Sequence, residues 1–197
     1  MYKSIASIQF PEYRGGININ MMPIVFGYPE TYPETIKGYI PLINQCNFNI
    51  GEICYITISE SFVPKDQSQR RGGIHVEAPY LKSWGGGTWG GMTRDKGIYM
   101  ASTDGNTNVW DEIVGDRDEH GACVPYGNPE KMTPNILYWM TDKTPHQALP
   151  SDRDCYRQFF RLVSSEISMW LSKHNTKNPY GVKPTCPVVD IDKFEKV

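Results

Sequence analysis

No stretch of the sequence approaches the about 18 consecutive apolar residues of a membrane-spanning helix. The opening, MYKSIASIQFPEYRGG, lacks the sustained apolar core of a secretory signal. No CxxC occurs, and the five cysteines (Cys46, Cys54, Cys123, Cys155 and Cys186) are odd in number and widely scattered. Neither a zinc ribbon nor a disulfide framework is therefore indicated. Together these absences point to a cytoplasmic protein with reduced thiols and no membrane partner. Charge of one sign is also missing: 20 Lys and Arg stand against 22 Asp and Glu, for a net −2 without a basic stripe. That argues against tight duplex nucleic-acid binding, which needs clustered cations to displace counterions. GxSxG, P-loop and HExxH patterns are all lacking, as are internal repeats and low-complexity tracts.

What is present is a chain of 197 residues, 39% hydrophobic and 12% aromatic, which suits one domain with a real core. Ile53–Val63, rich in β-branched and aromatic residues, is the clearest predicted strand. Asn135 to Thr141 alternates Leu137 and Trp139 against Ile136, Tyr138 and Met140, so both faces are apolar. Tyr156 to Val163 places Arg157, Phe159, Arg161 and Val163 on one face by the period of two. Gly97–Thr103 and Asn108–Val114 read as a hairpin around Asp104-Gly105-Asn106. Ser164–His174 is the best helix candidate, with Ser164 as cap and Ile167, Trp170 and Leu171 on one face. Short strands with turn signals and little helix predict a mainly β fold, a jelly-roll or cupin-like barrel with few flanking helices. The division read from the sequence is an irregular extension with a few strands over about 1–50, a jelly-roll core over 51–163, a helix over 164–174 and a tail over 178–197.

The chemistry gathers in two places. In Gly72-Gly73-Ile74-His75-Val76-Glu77, His75 and Glu77 are two apart on a predicted strand and leave the same face. His146 lies after the next-to-last long strand. Two imidazoles and one carboxylate on one side of a metal leave open positions for other ligands, as at non-haem Fe(II). Arg157 then offers a permanently charged planar fork for a carboxylate.

In this order, HxE, a distant histidine, and an arginine eleven positions after it (157 − 146), the sequence resembles the Fe(II)- and 2-oxoglutarate-dependent dioxygenases. Members of that family carry HxD or HxE, then His, then Arg, on a double-stranded β-helix. The resemblance covers about residues 72–163. It implies that His75, Glu77 and His146 hold iron and that Arg157 pairs with the distal carboxylate of 2-oxoglutarate. Arg161, one step further on the same face, competes for that role, and Tyr99 is taken as a further co-substrate contact. The implied reaction hydroxylates a substrate that no motif identifies, with conversion of 2-oxoglutarate to succinate. Glu77 in place of the commoner Asp, and Phe159 where several subfamilies have Ser, are departures from the pattern.

Other readings stand beside this one. A non-catalytic jelly roll, capsid-type or lectin-like, would leave the histidines incidental and use its aromatics for binding. A cupin-like enzyme with another metal lacks the usual HxH pair. The glycine-rich Trp84–Trp89 stretch reads either as a lid over a site or as a surface loop. His120-Gly121-Ala122-Cys123 has the spacing of half a metal site with no second half. Cys155 lacks an ordered base partner for a catalytic thiol.

Overall fold

The computed structural model describes residues 1–77, 96–118 and 120–190. Trp84–Trp89, read as a lid or loop, lies outside them. Thirteen strands are described. The first three are β1 (Tyr2–Ser7), β2 (Asn18–Val25) and β3 (Ile53–Val63). Then come β4 (Ile98–Ser102), β5 (Thr107–Val109), β6 (Ile113–Val114), β7 (Val124–Pro125) and β8 (Glu130–Lys131). The chain continues with β9 (Ile136–Met140), β10 (His146–Ala148), β11 (Cys155–Val163), β12 (Trp170–Leu171) and β13 (Val188–Val189). Among the described residues helical structure is limited to two 3-10 turns, Pro29–Thr31 and Glu34–Tyr39, and one turn of α-helix, α1 (Ile40–Ile43).

Two antiparallel sheets form the body. Six strands run in the order β1-β9-β4-β11-β3-β2, and three in the order β10-β5-β8. The pairing is nested along the chain. β3 pairs with β11, His75 bridges His146 on β10, β4 pairs with β9, and β5 pairs with β8. Among the described residues neither sheet closes into a barrel.

β3 and β11 pair along nine consecutive positions, from Tyr55↔Val163 to Val63↔Cys155. Both strands are covered on two faces, which explains why their β-branched and aromatic residues run almost without interruption. On one face Ile56, Ile58, Phe160 and Leu162 join a core completed by Tyr32, Ile36, Tyr39, Leu42, Ile43 and Phe48. On the other, Tyr55, Phe159 and Val163 pack with Met100, Val109 and Met132. Residues 1–50 thus supply both edge strands of the large sheet and the cover of one face. Pro23 is tolerated because β2 is an edge, where a missing N–H breaks no ladder. A bulge between Ile19 and Met22, with Met21 at φ +47°, turns Met21 toward the second sheet.

Alternation in β9 is as read: Leu137 and Trp139 enter the first core, Tyr138 and Met140 the second. Two predicted elements differ. The segments around Asp104-Gly105-Asn106 are not a hairpin, because β4 belongs to the large sheet and β5 to the small one. The turn carries the chain between layers, and Asn106 receives Leu149 N–H rather than closing a two-strand ladder. Nor does 164–174 form a helix. The expected capping bond exists, Glu166 N–H to Ser164 Oγ at 3.3 Å, but tertiary partners take over. Ser165 donates to Glu52, the Trp170 indole donates to Met21 C=O at 2.8 Å, and β12 pairs in parallel with β13. A single turn's cap cannot outweigh those contacts, since helix nucleation is itself unfavourable. No helix among the described residues is long and apolar enough to cross a membrane, and all five cysteines are free.

Candidate metal centre

His75 enters the fold as an extra strand residue beside β10. Its N–H donates to His146 C=O at 3.1 Å, and His146 N–H donates back at 2.9 Å. In such a directly opposed pair the two side chains leave the same face, and the imidazole centroids lie 4.6 Å apart. Glu77 follows two residues on, its N–H bonded to Asp142 C=O at 3.0 Å, and so shares that face. On the far side, Val76 N–H reaches Gly121 C=O at 2.8 Å. Gly121 sits at φ +82°, and a Cβ there would stand 2.5 Å from Val76 C=O. Only glycine allows this approach, which is the role the structure gives to the His120–Cys123 stretch.

The result is one buried group in which ligand atoms of His75, Glu77 and His146 all lie within 4.8 Å of one another. His146 Nε2 is 3.5 Å from Glu77 Oε1. Both imidazoles are oriented the same way. His75 Nδ1 lies 2.9 Å from Gly73 C=O and His146 Nδ1 3.0 Å from Thr144 C=O. A carbonyl only accepts, so each Nδ1 carries the proton and each Nε2 presents a lone pair. Burial, reinforced by the neighbouring His146, pushes the His75 pKa down to about 3 against the opposing pull of Glu77. His75 is accordingly neutral near pH 7, as a metal ligand must be. Two imidazole nitrogens and one carboxylate oxygen suit a first-row divalent ion. The three residues could hold such an ion; their donor atoms do not by themselves select which.

The arginines on β11 point to the same side. Phe159, Arg157 and Arg161 line one cavity with the three residues, as do Met100, Arg70 and Asn175. Its interior offers about 70 Å³ to water centres, several waters' worth. Arg161 forms an ion pair with Glu77 and donates to Thr57 Oγ1 at 3.3 Å. Arg157 donates from Nε to Ser102 Oγ at 2.9 Å. Burial pulls the Arg157 pKa down while the nearby Asp104 opposes it.

His75, Glu77, His146, Arg157 and Arg161, all read from the sequence, are therefore brought together. Tyr99 is not. Its neighbours in register, Leu162 and Trp139, face the first core, and Tyr99 is buried there edge-on to Phe48 at 5.3 Å. The period of two puts its side chain across the sheet from Met100 and the cavity. Arg70 is the residue that sequence reading missed. It lies outside any strand, so no periodicity marked it; the only signal is the Arg70-Arg71 pair shortly before HxE. Asn20, Met21 and Asn175 reach the cavity from distant parts of the chain, through the β2 bulge and the segment after β12. The chain matches no protein-family model, no curated protein and no solved structure.

Proposed function

We propose that the protein is a non-haem Fe(II)- and 2-oxoglutarate-dependent oxygenase built on a jelly roll of the double-stranded β-helix kind. The observation that carries this reading is the convergence of His75, Glu77 and His146, with both Nδ1 atoms bonded to backbone carbonyls, in a cavity that also holds Arg157 and Arg161. The nested pairing of three strand pairs and the His75–His146 bridge across two sheets supports the fold assignment.

In this reading His75, Glu77 and His146 hold the ion on one side. Bound there, iron supplies dioxygen activation coupled to oxidative decarboxylation of 2-oxoglutarate to succinate and hydroxylation of a substrate C–H bond. The chain's own residues bind and orient. The Gly73 and Thr144 carbonyls fix the imidazole tautomers, and Arg161 holds the Glu77 carboxylate in place, as outer partners of metal ligands do. Arg157, held by Ser102 and otherwise facing the cavity, pairs with the distal carboxylate of 2-oxoglutarate. Met100 and Phe159 keep that part of the cavity apolar and limit water.

One observation favours a second reading. Glu77 already has a cationic partner in Arg161, so the cluster also makes sense as a structural ion pair in a non-catalytic jelly roll. Succinate formation from 2-oxoglutarate by purified protein with Fe(II) separates the two. Arg157→Ala should raise the apparent KM for 2-oxoglutarate on the order of tenfold or more while sparing iron binding. Arg157→Lys should also lose affinity, because a point charge does not replace a bidentate fork. Unchanged 2-oxoglutarate dependence in both variants would remove Arg157 from the role and leave Arg161 as the anchor.

A further inference from the structure

The cavity holds more positive charge and more unsatisfied donors than this reading uses. Its described lining includes four arginines, Arg70, Arg71, Arg157 and Arg161, and a single carboxylate, Glu77. Arg71 donates to His120 C=O at 2.9 Å, Arg157 is bonded to Ser102, and Arg161 is paired with Glu77. Among the described residues no carboxylate is hydrogen-bonded to Arg70; Glu77 acts on it through charge alone and is already paired with Arg161. Its contacts are the neutral Ser59 Oγ at 3.4 Å and the face of Phe159, with Cζ 4.7 Å from the ring centroid. Burial, and then the like charge of Arg161, lowers its pKa to about 10, which still leaves it cationic at neutral pH. Enclosing a guanidinium whose one nearby carboxylate, Glu77, is shared with Arg161 is costly, so this position points to an anion.

Two further donors point the same way. Arg161 Nε and Asn175 Nδ2 are buried and have no hydrogen-bond partner among the described residues, and both residues line this cavity. Asn20 Nδ2 donates to Asn175 Oδ1 at 3.0 Å, which leaves the Asn175 nitrogen as the free end of its amide. Asn20 in turn accepts from Thr57, the register partner of Arg161. The unused donors therefore gather at the Arg161 end of β11. Arg157 is four residues away on the same strand, about 13 Å at the usual rise. The two arginines are thus separate positions along one strand, each open to its own anionic group.

We propose that Arg70, Arg161 Nε and Asn175 Nδ2 form a second anion subsite that takes a carboxylate, sulfonate or phosphate group of the primary substrate, so that the protein acts on an anionic small molecule. The assignment of the other anion to 2-oxoglutarate rests on the oxygenase reading; the subsite itself does not. The test is calorimetric titration of the full chain, loaded with Mn(II) and saturating 2-oxoglutarate, with inorganic phosphate and separately with sulfate. Wild type should bind at least one of them with 2-oxoglutarate in place. Arg70→Gln should weaken that binding about tenfold or more, with Arg70→Lys recovering part of it and both variants melting close to wild type. The affinity of Arg70→Gln for 2-oxoglutarate should stay within a few-fold of wild type. Competition between phosphate and 2-oxoglutarate, with both lost in Arg70→Gln, would assign Arg70 to the co-substrate and overturn the proposal. So would the absence of anion binding in wild type. If wild type binds phosphate through Arg70 but does not bind 2-oxoglutarate, the subsite stands and the oxygenase reading fails.

Discussion

His75 is a histidine whose neighbours reject its charge. Burial and the imidazole of His146 hold its pKa at about 3, whereas in an unfolded chain it would titrate near about 6.5. The folded-state pKa is the lower one, so the neutral form stabilises the fold above the unfolded value. That contribution is lost as pH falls from about 6.5 toward about 3, because the unfolded chain takes up a proton that the folded one refuses. Metal-free protein should therefore lose roughly 2 kcal/mol between pH 7 and pH 5 from this group. Urea unfolding at the two pH values checks it, with His75→Gln expected to flatten the dependence. An equal pH dependence in the variant would show that His75 is not the source. At this scale much of the site is legible in the sequence. HxE and the two arginines are recognisable by spacing, since a period of two decides which residues of one strand share a face, and His146 by its place in the order. Arg70 and Asn175 are not legible, because nothing local in an irregular segment says which way its side chains turn.

At the scale of elements, the ligand residues depend on a short segment that is barely a strand. His75 to Glu77 is held by β10 on one side and by the chain around Gly121 on the other. Gly121→Ala should push Val76 away, because its new Cβ would meet the Val76 carbonyl at a positive φ. Metal affinity should fall on the order of 10–100-fold, the range for damage to a ligand's support, as read by competition with a chelator. Unchanged affinity would mean that the segment is fixed by β10 alone. Glu60 provides the contrast. It accepts from Tyr39 Oη at 2.7 Å and from the Arg14 and Gly15 N–H groups at 2.8 Å each. Burial pushes its pKa up, but these bonds outweigh burial and the net shift is downward. Glu60→Gln should cost about 1.5–3 kcal/mol, the worth of a hydrogen bond to a charged group, and leave metal affinity intact. A fall in metal affinity would tie the two faces of the sheet more closely than the separate cores suggest. Strand identity follows from β-branched and aromatic content in β3, β9 and β11. Partnership does not, because Asp104-Gly105-Asn106 looks locally like a hairpin turn and only packing against Met132 and Leu149 sends β5 to the other sheet. The 164–174 segment shows the same limit, with a real cap and an apolar face claimed by contacts to residues 21, 52 and 187.

For the whole molecule, the sequence conveys a mainly β architecture but not how residues 1–50 complete it. That segment carries several Gly and Pro and reads as irregular with a few strands; it edges the large sheet on both sides and covers one face with Tyr32, Tyr39 and Phe48. A metal site on the small-sheet side that is tied to the large sheet through the Glu77–Arg161 ion pair should couple ion binding to global stability. At free metal about a thousandfold above Kd the gain is roughly 4 kcal/mol, on the order of 10 °C in Tm for a chain of this size. Thermal unfolding with added Fe(II) or Zn(II) under anaerobic conditions, and then with excess chelator, measures it. No shift would mean that the cluster binds no ion of consequence. The most direct measurement is metal content per chain after dialysis, for wild type, Glu77→Ala and Glu77→Asp, with X-ray absorption on the loaded protein. Wild type should retain one ion with nitrogen and oxygen donors at about 2.0–2.2 Å, Glu77→Asp less, and Glu77→Ala almost none. Wild type that is folded and free of metal after loading, or Glu77→Ala that retains as much as wild type, would contradict a centre formed by His75, Glu77 and His146.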